Sequence, residues 1–308
     1  MVQKRTIKYE IVLKLKRAWY IVNYHNVDWS DNDFLSPLNL TISPNLLYEH
    51  IRCLSKHGTI VSFSDGLKLY ESNNINYPII SFSFDDGYKG VYNYANKILN
   101  EFNISGLTSI CSKFYKQNEL FWRLKLAYIH SNNGDRFIRS RLKKIGFSLN
   151  NNRISKFTID NFSDDVIKMI DEVFDKYNID ERKKSSNLFM DKFMLMDLVD
   201  EGWNIGNHST NHYPYSEESC IDFLATDFIL NNNKIFDDLK YDCNFLTIPF
   251  DRQNMRSKKL KNIIDKNFKE FKIVLVGNKF NKNNKDNFLY RYASKHEDPK
   301  DLLKLLCT

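Results

Sequence analysis

Short apolar runs and longer stretches with helical spacing alternate along this chain. Apolar residues at period two, or in short continuous runs, predict strands at residues 19–24, 59–63, 78–84, 106–110, 203–206, 245–248 and 273–276. Apolar residues at helical spacing predict helices at residues 44–54, 92–102, 194–201, 224–239 and 260–268, with a last helix opening at Asp298-Pro299. Strands that alternate with helices favour an α/β fold built on a parallel sheet.

The segment 113–192 interrupts this alternation. It is mostly polar and reads as helical, with Val166, Ile170, Val173 and Phe174 on one amphipathic face. We therefore expect one domain over residues 1–308 with a helical insertion at 113–192. The insertion either packs on the core or forms a lid or partner surface, and the first interpretation is favoured because most added helices only cover core.

Composition narrows the class of protein. A chain of 308 residues with 42% hydrophobic residues can bury a full globular core. The 45 Lys+Arg against 38 Asp+Glu give a net charge of +7, but the basic residues are scattered and no nucleic-acid-binding module is visible. We expect a basic surface and no nucleic-acid partner; a patch that meets phosphorylated or membrane-bound substrates also fits. Oligomeric state is left open.

Neither end of the chain nor its cysteines indicate export. The longest apolar run near the N-terminus, Ile11-Val12-Leu13, is too short for a signal peptide, and no stretch approaches the roughly 20 apolar residues of a membrane span. The five dispersed cysteines show neither metal-ligand spacing nor a disulfide framework. We expect a cytoplasmic protein, with peripheral association at the inner membrane face as the alternative.

Candidate chemistry begins where the strand 78–84 ends, at the adjacent carboxylates Asp85 and Asp86. Two neighbouring carboxylates repel each other, so keeping both ionised requires a cation. Further on, His208 and His212 lie four residues apart. One Asp with two His is a metal-ligand set that leaves coordination positions open, and the other Asp is then a candidate general base.

Each feature alone has a simpler explanation. An Asp-Asp-Gly triplet is most often a turn that ends a strand, and a His-x3-His pair is often a surface coincidence. Both features follow apolar strands in a chain with only 7 histidines, so together they favour a metal-dependent hydrolase.

Four motifs resemble those of the polysaccharide deacetylase family, the NodB-like carbohydrate esterases. Ser83-Phe84-Asp85-Asp86-Gly87-Tyr88 is similar to the family's Thr-Phe-Asp-Asp-Gly-Tyr, and the segment 202–212 is similar to Gly-x-x-Ile-Gly followed by His-Ser/Thr-x-x-His. Pro249-Phe250 resembles the Pro-Tyr or Pro-Phe motif. Tyr24-His25-Asn26-Val27 resembles the opening of the rearranged branch that contains poly-N-acetylglucosamine deacetylases. The resemblance covers residues 20–292 apart from the insertion, and it implies an irregular parallel (β/α) barrel with its site at the C-terminal ends of the strands.

The resemblance also implies a role for individual residues. Asp86, His208 and His212 would hold a divalent metal, with zinc the expected ion. Asp85 would be the base, His25 the acid that protonates the leaving amine, and the backbone N–H of Phe250 part of the oxyanion hole. The substrate-contacting residues would be Tyr88, Pro249 and Arg291.

The chain departs from the family pattern in three places. Leu246-Thr247-Ile248 stands where many members have an arginine that steadies the base, and Arg252 or Arg291 are the candidate substitutes. The late Leu-x-His motif is absent, and His296 is interpreted as a surface residue. Asn204 stands where an acidic residue is usual.

The function that the resemblance implies is removal of N-acetyl groups from an amino sugar or glycan by a metal-dependent hydrolase in surface polysaccharide synthesis. The expected substrate is a nucleotide- or lipid-linked sugar or a short glycan. Hydrolysis of O-acetyl or formamido groups is the alternative chemistry, since the same attack by water serves all three. A non-catalytic sugar-binding barrel is the alternative from another class.

Overall fold

Parallel strands that close into a barrel form the centre of the protein. The computed structural model describes residues 14–147, 154–214, 221–250, 258–268, 271–282, 287–294 and 298–308. The strands in these residues are β1 (Trp19–Tyr24), β2 (Asn26–Val27), β3 (Thr41–Ile42), β4 (Thr59–Ile60), β5 (Ile79–Phe84), β6 (Leu107–Ile110), β7 (Asn204–Asn207), β8 (Phe245–Thr247), β9 (Lys272–Val276) and β10 (Phe288–Ala293). Seven of them close the barrel in the order β1-β10-β9-β8-β7-β6-β5, and β5 pairs back on β1. The α/β barrel expected from the sequence is confirmed.

Helices surround this barrel. They are α1 (Pro44–Leu54), α2 (Phe63–Glu71), α3 (Asn96–Glu101), α4 (Ser112–Tyr115), α5 (Trp122–Ser131), α6 (Asp135–Lys144), α7 (Ile154–Asp160), α8 (Asp164–Phe174), α9 (Glu181–Leu188), α10 (Lys192–Asp200), α11 (Ile221–Leu239), α12 (Lys258–Asn267) and α13 (Pro299–Cys307). The start of α1 follows its sequence signal: Ser43 accepts a hydrogen bond from the backbone N–H of Leu46, and Pro44 occupies the first turn. Within the described ranges, every helix is too short or too polar to cross a bilayer.

The barrel interior is apolar at one end and polar at the other. At the N-terminal ends of the strands, Trp19 packs on Phe63 with ring centroids 5.2 Å apart, and Phe63 packs on Phe245 at 5.1 Å. Alternation along β1 and β5 brings Asn23 and Ser83 inward nearer the C-terminal ends, where they hydrogen-bond to each other. The inward polar side chains of Asn23 and Ser83 thus lie toward the mouth formed by the C-terminal ends.

Two elements differ from the sequence prediction. The strand predicted at residues 59–63 ends at Ile60, and the unpredicted helix α2 begins at Phe63, because that ring closes the apolar end of the barrel. The strand β10 was also missed, although Phe288, Tyr290 and Tyr292 alternate with smaller or polar residues. Alternation over six residues with an arginine in the middle is a weak strand signal. The segment becomes a strand because it pairs with β9 and β1.

The chain between β6 and β7 runs through the helices α4 to α10 over the barrel mouth. Helices α5 and α8 pack together around an apolar cluster of their own that contains Leu124, Val166 and Ile170. At the start of α5, the Phe121 ring lies 4.9 Å from the ring of His212, measured between centroids. Trp122 stacks on Phe250 at 6.0 Å. These helices lie over both core and mouth; packing on the core stays the favoured prediction, with a lid or partner surface as the alternative.

Candidate metal centre and active site

Strand register brings His25 and Asp85 together. Strands β1 and β5 pair in parallel with Tyr24 opposite Phe84, and the backbone N–H of Asp85 donates to the carbonyl of Tyr24 over 3.0 Å. The residues that follow each strand therefore emerge side by side at the mouth. Asp85 is buried and His25 is half-buried.

Backbone conformation then turns Asp86 toward the mouth. Asp86 has φ of 72° and Gly87 has φ of 74°, both in the left-handed region, which is unfavourable for a residue with a side chain. At Gly90 an added Cβ would lie 2.1 Å from the carbonyl oxygen of Val27, so only glycine fits there. The loops that follow β1 and β5 are thus held in close contact.

The two histidines lie on a tight loop after β7 and not on one face of a helix. Ser209 and His212 have φ of 66° and 54°, again in the left-handed region. The N–H of His212 donates to the Ser209 hydroxyl over 3.1 Å, and Asn207 Oδ1 accepts from the N–H of Ser209 over 3.0 Å. Buried Asn231 donates to the same Oδ1 over 2.7 Å. Strain held by buried hydrogen bonds is typical of functional sites.

Asp86, His208 and His212 converge. One candidate ligand atom from each lies within 4.8 Å of the others, and all three residues are buried. Asp86 Oδ1 lies 3.3 Å from Nε2 of His208 and 3.0 Å from Nε2 of His212. The carbonyl of Thr247, 2.8 Å from Nδ1 of His208, can only accept a hydrogen bond, so Nδ1 carries the proton and Nε2 has its lone pair free.

These three residues fit a divalent metal. In the described part of the chain, Asp86 Oδ1 is buried without a hydrogen-bond partner, although it lies close to Nε2 of both imidazoles. Oxygen and nitrogen lone pairs that meet at one point without a proton between them repel each other unless a cation lies there. The arrangement is that of an Asp-His-His metal site with open positions.

Asp85 is held by two side chains of the barrel. Arg291 Nη1 donates to Oδ1 over 2.8 Å and Nη2 to Oδ2 over 2.9 Å, while Asn23 Nδ2 donates to Oδ2 over 2.9 Å. Burial by itself raises the pKa of Asp85, but the charges of Arg291 and His208 outweigh burial and lower this pKa to about 2. Asp85 is thus an ionised carboxylate in a fixed orientation.

Arg291 points at Asp85 rather than at open space. It is 1% exposed and lies in the middle of β10. Of the two substitutes considered from sequence, Arg252 lies outside the described residues, as does His296. The geometry therefore favours Arg291 as the residue that steadies Asp85 over direct contact with substrate.

The pKa of His25 is lowered, because burial outweighs the opposite effect of Asp86 and Asp85. A lower pKa makes the protonated imidazole a stronger acid.

The remaining residues singled out from sequence surround this group. Tyr88 is fully buried and stacks on Phe189 with centroids 5.4 Å apart, and burial raises the pKa of its hydroxyl. Pro249 is buried, whereas Phe250 is half-buried with φ of 60°. The ring of Phe250 lies 4.8 Å from that of His212. Their roles stay predictions.

Sequence reasoning missed Asn23, Thr247 and Arg123. Alternation along β1 could have found Asn23, which shares a strand face with His25. Arg123, on α5, places its guanidinium carbon 5.1 Å from the centre of the Phe250 ring. Burial lowers the pKa of Arg123, and the charge of Asp86 opposes that shift. No local signal distinguished it from the other basic residues of the insertion.

A cleft of about 310 Å³ lies between the insertion and the segments that follow β1 and β5. Its lining includes Asn26, which follows His25, and Lys89, which follows Tyr88. From the insertion come Tyr128 and Asn187. Amide, ammonium and aromatic groups of this kind suit a ligand rich in hydroxyl groups.

Similarity to known proteins was found only at the level of structure. No sequence-family model matches the chain, and no curated protein matches it. A de-N-acetylase from Aggregatibacter actinomycetemcomitans superposes with a TM-score of 0.60 at 15% identity, over 93% of this chain and 99% of that one.

Two further solved structures are similar. The deacetylase PplD of Streptococcus pyogenes, solved with acetate, gives a TM-score of 0.59 at 14% identity, over 94% of this chain and 98% of that one. A polysaccharide deacetylase from Bacillus cereus gives 0.54 at 11% identity, over 94% of this chain and 69% of that one. At such identities a likeness establishes the fold, and this chain has the barrel fold of the polysaccharide deacetylases that its motifs resemble.

Proposed function

We propose that this protein is a metal-dependent hydrolase that removes an N-acetyl group from an amino sugar or glycan in the synthesis of a surface polysaccharide. The observation that carries the proposal is the buried Asp86, His208 and His212 group beside a separately held carboxylate, Asp85. A metal centre and a fixed base are the two parts that hydrolysis of an amide by water requires. The deacetylases that share the fold support the same reaction class.

Asp86, His208 and His212 would hold the ion, and zinc is the ion best suited to one carboxylate and two imidazoles. A bound divalent ion supplies a lowered pKa for water and polarisation of the acyl carbonyl. Asp85 accepts a proton as the water oxygen bonds to the acyl carbon. Arg291 and Asn23 keep the Asp85 oxygens directed at that proton.

The carbon–nitrogen bond then breaks, and the departing amine takes a proton from His25. The products are acetate and a free amino sugar. His25 suits this step because it lies beside Asp85 and its lowered pKa favours proton release. The backbone N–H of Phe250 would stabilise the charge that develops on the acyl oxygen.

Hydrolysis of an O-acetyl or formamido group is the alternative chemistry at the same site. A proton donor at His25 favours an N-acyl substrate, because an amine is a poor leaving group until it is protonated. The polar cleft beside His25 supports a sugar as the carrier of that group.

Metal analysis together with acetate release tests the proposal. The purified protein should bind about one zinc ion per chain and release acetate from N-acetylglucosamine oligomers. His208→Ala with His212→Ala should abolish both. The matched control, His57→Ala with His130→Ala, removes two histidines that lie outside the described metal group and should change neither.

Full metal content in the double variant at residues 208 and 212 would refute the metal centre. Metal binding without acetate release from any acylated sugar would instead indicate a sugar-binding barrel.

A further inference from the structure

Arg123 is a charged side chain at the mouth with one unsatisfied donor. It comes from helix α5 and is half-buried. Its Nε is fully buried, and in the described part of the chain this atom has no hydrogen-bond partner. A buried N–H that lacks an acceptor costs free energy, which a ligand oxygen would recover.

The position of Arg123 limits where such an oxygen lies. Its guanidinium packs over the Phe250 ring at 5.1 Å, and the ring of His212 also lies against Phe250, at 4.8 Å between centroids. One aromatic ring thus separates Arg123 from a candidate metal ligand. In a 2-acylamino sugar, C1 and C3 are the two carbons next to the one that carries the acylamino group. Substituents on C1 and C3 are as close to the acyl group as Arg123 is to His212.

Charge indicates what kind of group would bind. Asp85 is paired with Arg291, and Asp86 faces the unpaired charge of Arg123. The two negative charges of these carboxylates equal the two positive charges of the two guanidiniums. A bound divalent ion would therefore add positive charge that these four side chains do not compensate. A negative substrate group is therefore favoured over a neutral one.

We propose that Arg123 is a specificity-determining residue that binds an oxyanion, either phosphate or carboxylate, carried by the same sugar as the acyl group. The planar guanidinium would donate to two oxygens of that group. This inference rests on the proposed deacylase function and narrows its substrate to an anionic amino sugar. A sugar 1-phosphate would supply the phosphate, and a lactyl ether on the neighbouring C3 would supply the carboxylate.

Steady-state kinetics of the zinc-loaded enzyme tests the inference. The substrates are N-acetylglucosamine 1-phosphate, N-acetylmuramic acid and the neutral methyl glycoside of N-acetylglucosamine. A charge-assisted contact predicts a kcat/KM about 10- to 100-fold higher for an anionic substrate than for the neutral one. Whichever anion is preferred identifies phosphate or carboxylate as the natural group.

Arg123→Gln should bring the ratio of anionic to neutral kcat/KM close to one, mainly through a higher KM for the anion. Arg123→Lys, which keeps the charge but loses the paired donors, should give an intermediate ratio. The matched control is Arg141→Gln, which removes an exposed arginine of the same insertion that pairs with Glu172. It should leave the ratio unchanged.

Binding gives a readout that does not depend on turnover. In zinc-loaded Asp85→Asn, calorimetry should show tighter binding of the anionic sugars than of the neutral glycoside, and Arg123→Gln in that background should remove the preference. Equal affinities would overturn the inference whether or not the enzyme turns over any of these sugars.

Two kinetic results would also overturn it. One is a ratio near one in the wild-type enzyme. The other is a ratio that survives Arg123→Gln while kcat falls equally for all substrates, which would make Arg123 a catalytic group for the acyl oxygen. In both cases acetate release persists and the deacylase proposal stands, so its failure and that of the inference are distinguishable.

Discussion

Arg291 of the barrel and Arg123 of the insertion approach the same pair of carboxylates, but their guanidiniums differ in how they are paired. Arg291 is 1% exposed and makes two hydrogen bonds to Asp85 at 2.8 and 2.9 Å. Arg123 packs over an aromatic ring, and its Nε has no partner in the described ranges. The Nε of Arg291 is buried without a partner too, so the two arginines differ in their ion pairs: Arg291 is bound to a carboxylate through both terminal nitrogens, and no ion pair within the described residues holds Arg123.

A second residue of the insertion shows that this difference is local. Lys125, two positions along α5, is paired with Asp171 at 2.9 Å and Glu181 at 3.0 Å. The insertion therefore does supply carboxylates to pair with a buried lysine of its own. The comparison teaches that the ion-paired charges fix the protein's own groups, whereas Arg123, which makes no ion pair within the described residues, is the charge that we propose binds a ligand.

Removing the base should have the largest effect on activity. Asp85→Asn deletes the proton acceptor and should lower kcat by about 10²- to 10⁴-fold, with metal content unchanged because the three ligands remain. Kinetics and metal analysis of the same preparation measure both. Loss of metal together with activity would mean that Asp85, and not Asp86, is the ligand.

The two arginines should differ most clearly in stability. Arg291→Gln leaves Asp85 buried without its ion pair, and the free energy of unfolding should fall by about 3–5 kcal/mol. Arg123→Gln removes a guanidinium that makes no ion pair within the described residues and whose Nε lacks an acceptor, so the free energy of unfolding should change by no more than about 1 kcal/mol. Urea denaturation of both variants without added sugar measures the contrast. Equal losses in the two variants would refute the comparison.

His25 tests the acid step on the barrel side. His25→Ala should lower kcat by about 10²-fold with metal content and folding unchanged. Because the protonated imidazole is the donor and its pKa is lowered from 6.5, activity of the wild-type enzyme should decline as pH rises through a value on the acidic side of 6.5. The pH profile of kcat measures this decline, which should be absent in the variant. A profile identical in both proteins would assign the proton to another donor.

The smallest effect is expected from removing the charge of Lys125, which is ion-paired within the insertion. Burial lowers the pKa of Lys125, but Asp171 and Glu181 outweigh it and raise this pKa above 10.5. The ion pairs thus stabilise fully below about pH 10.5 and are lost as pH rises through the folded-state pKa. Lys125→Met should cost about 1 kcal/mol at neutral pH, since both carboxylates are partly exposed. The free energy of unfolding, measured from pH 8 to 11, should fall at alkaline pH in the wild-type protein, and this fall should be absent in the variant.

The sequence by itself determined most of the barrel and most of the groups at its mouth. Strands β1 and β5 match their predicted runs to within one residue, because continuous burial in a parallel sheet leaves a clear apolar pattern. The motifs at Asp85 and His208 were readable since left-handed turns, and the metal ligation that we propose, restrict the residues that can stand there.

Only the tertiary structure decided what completes the site. The strand β10 carries Arg291 to Asp85 from 206 positions away, and no local pattern records such a pairing. Arg123 has the composition of an ordinary basic surface residue, and it reaches the mouth only because α5 packs across the barrel. Local sequence encodes periodicity and backbone preference, whereas the partners of a buried charge are set by contacts between segments far apart in the chain.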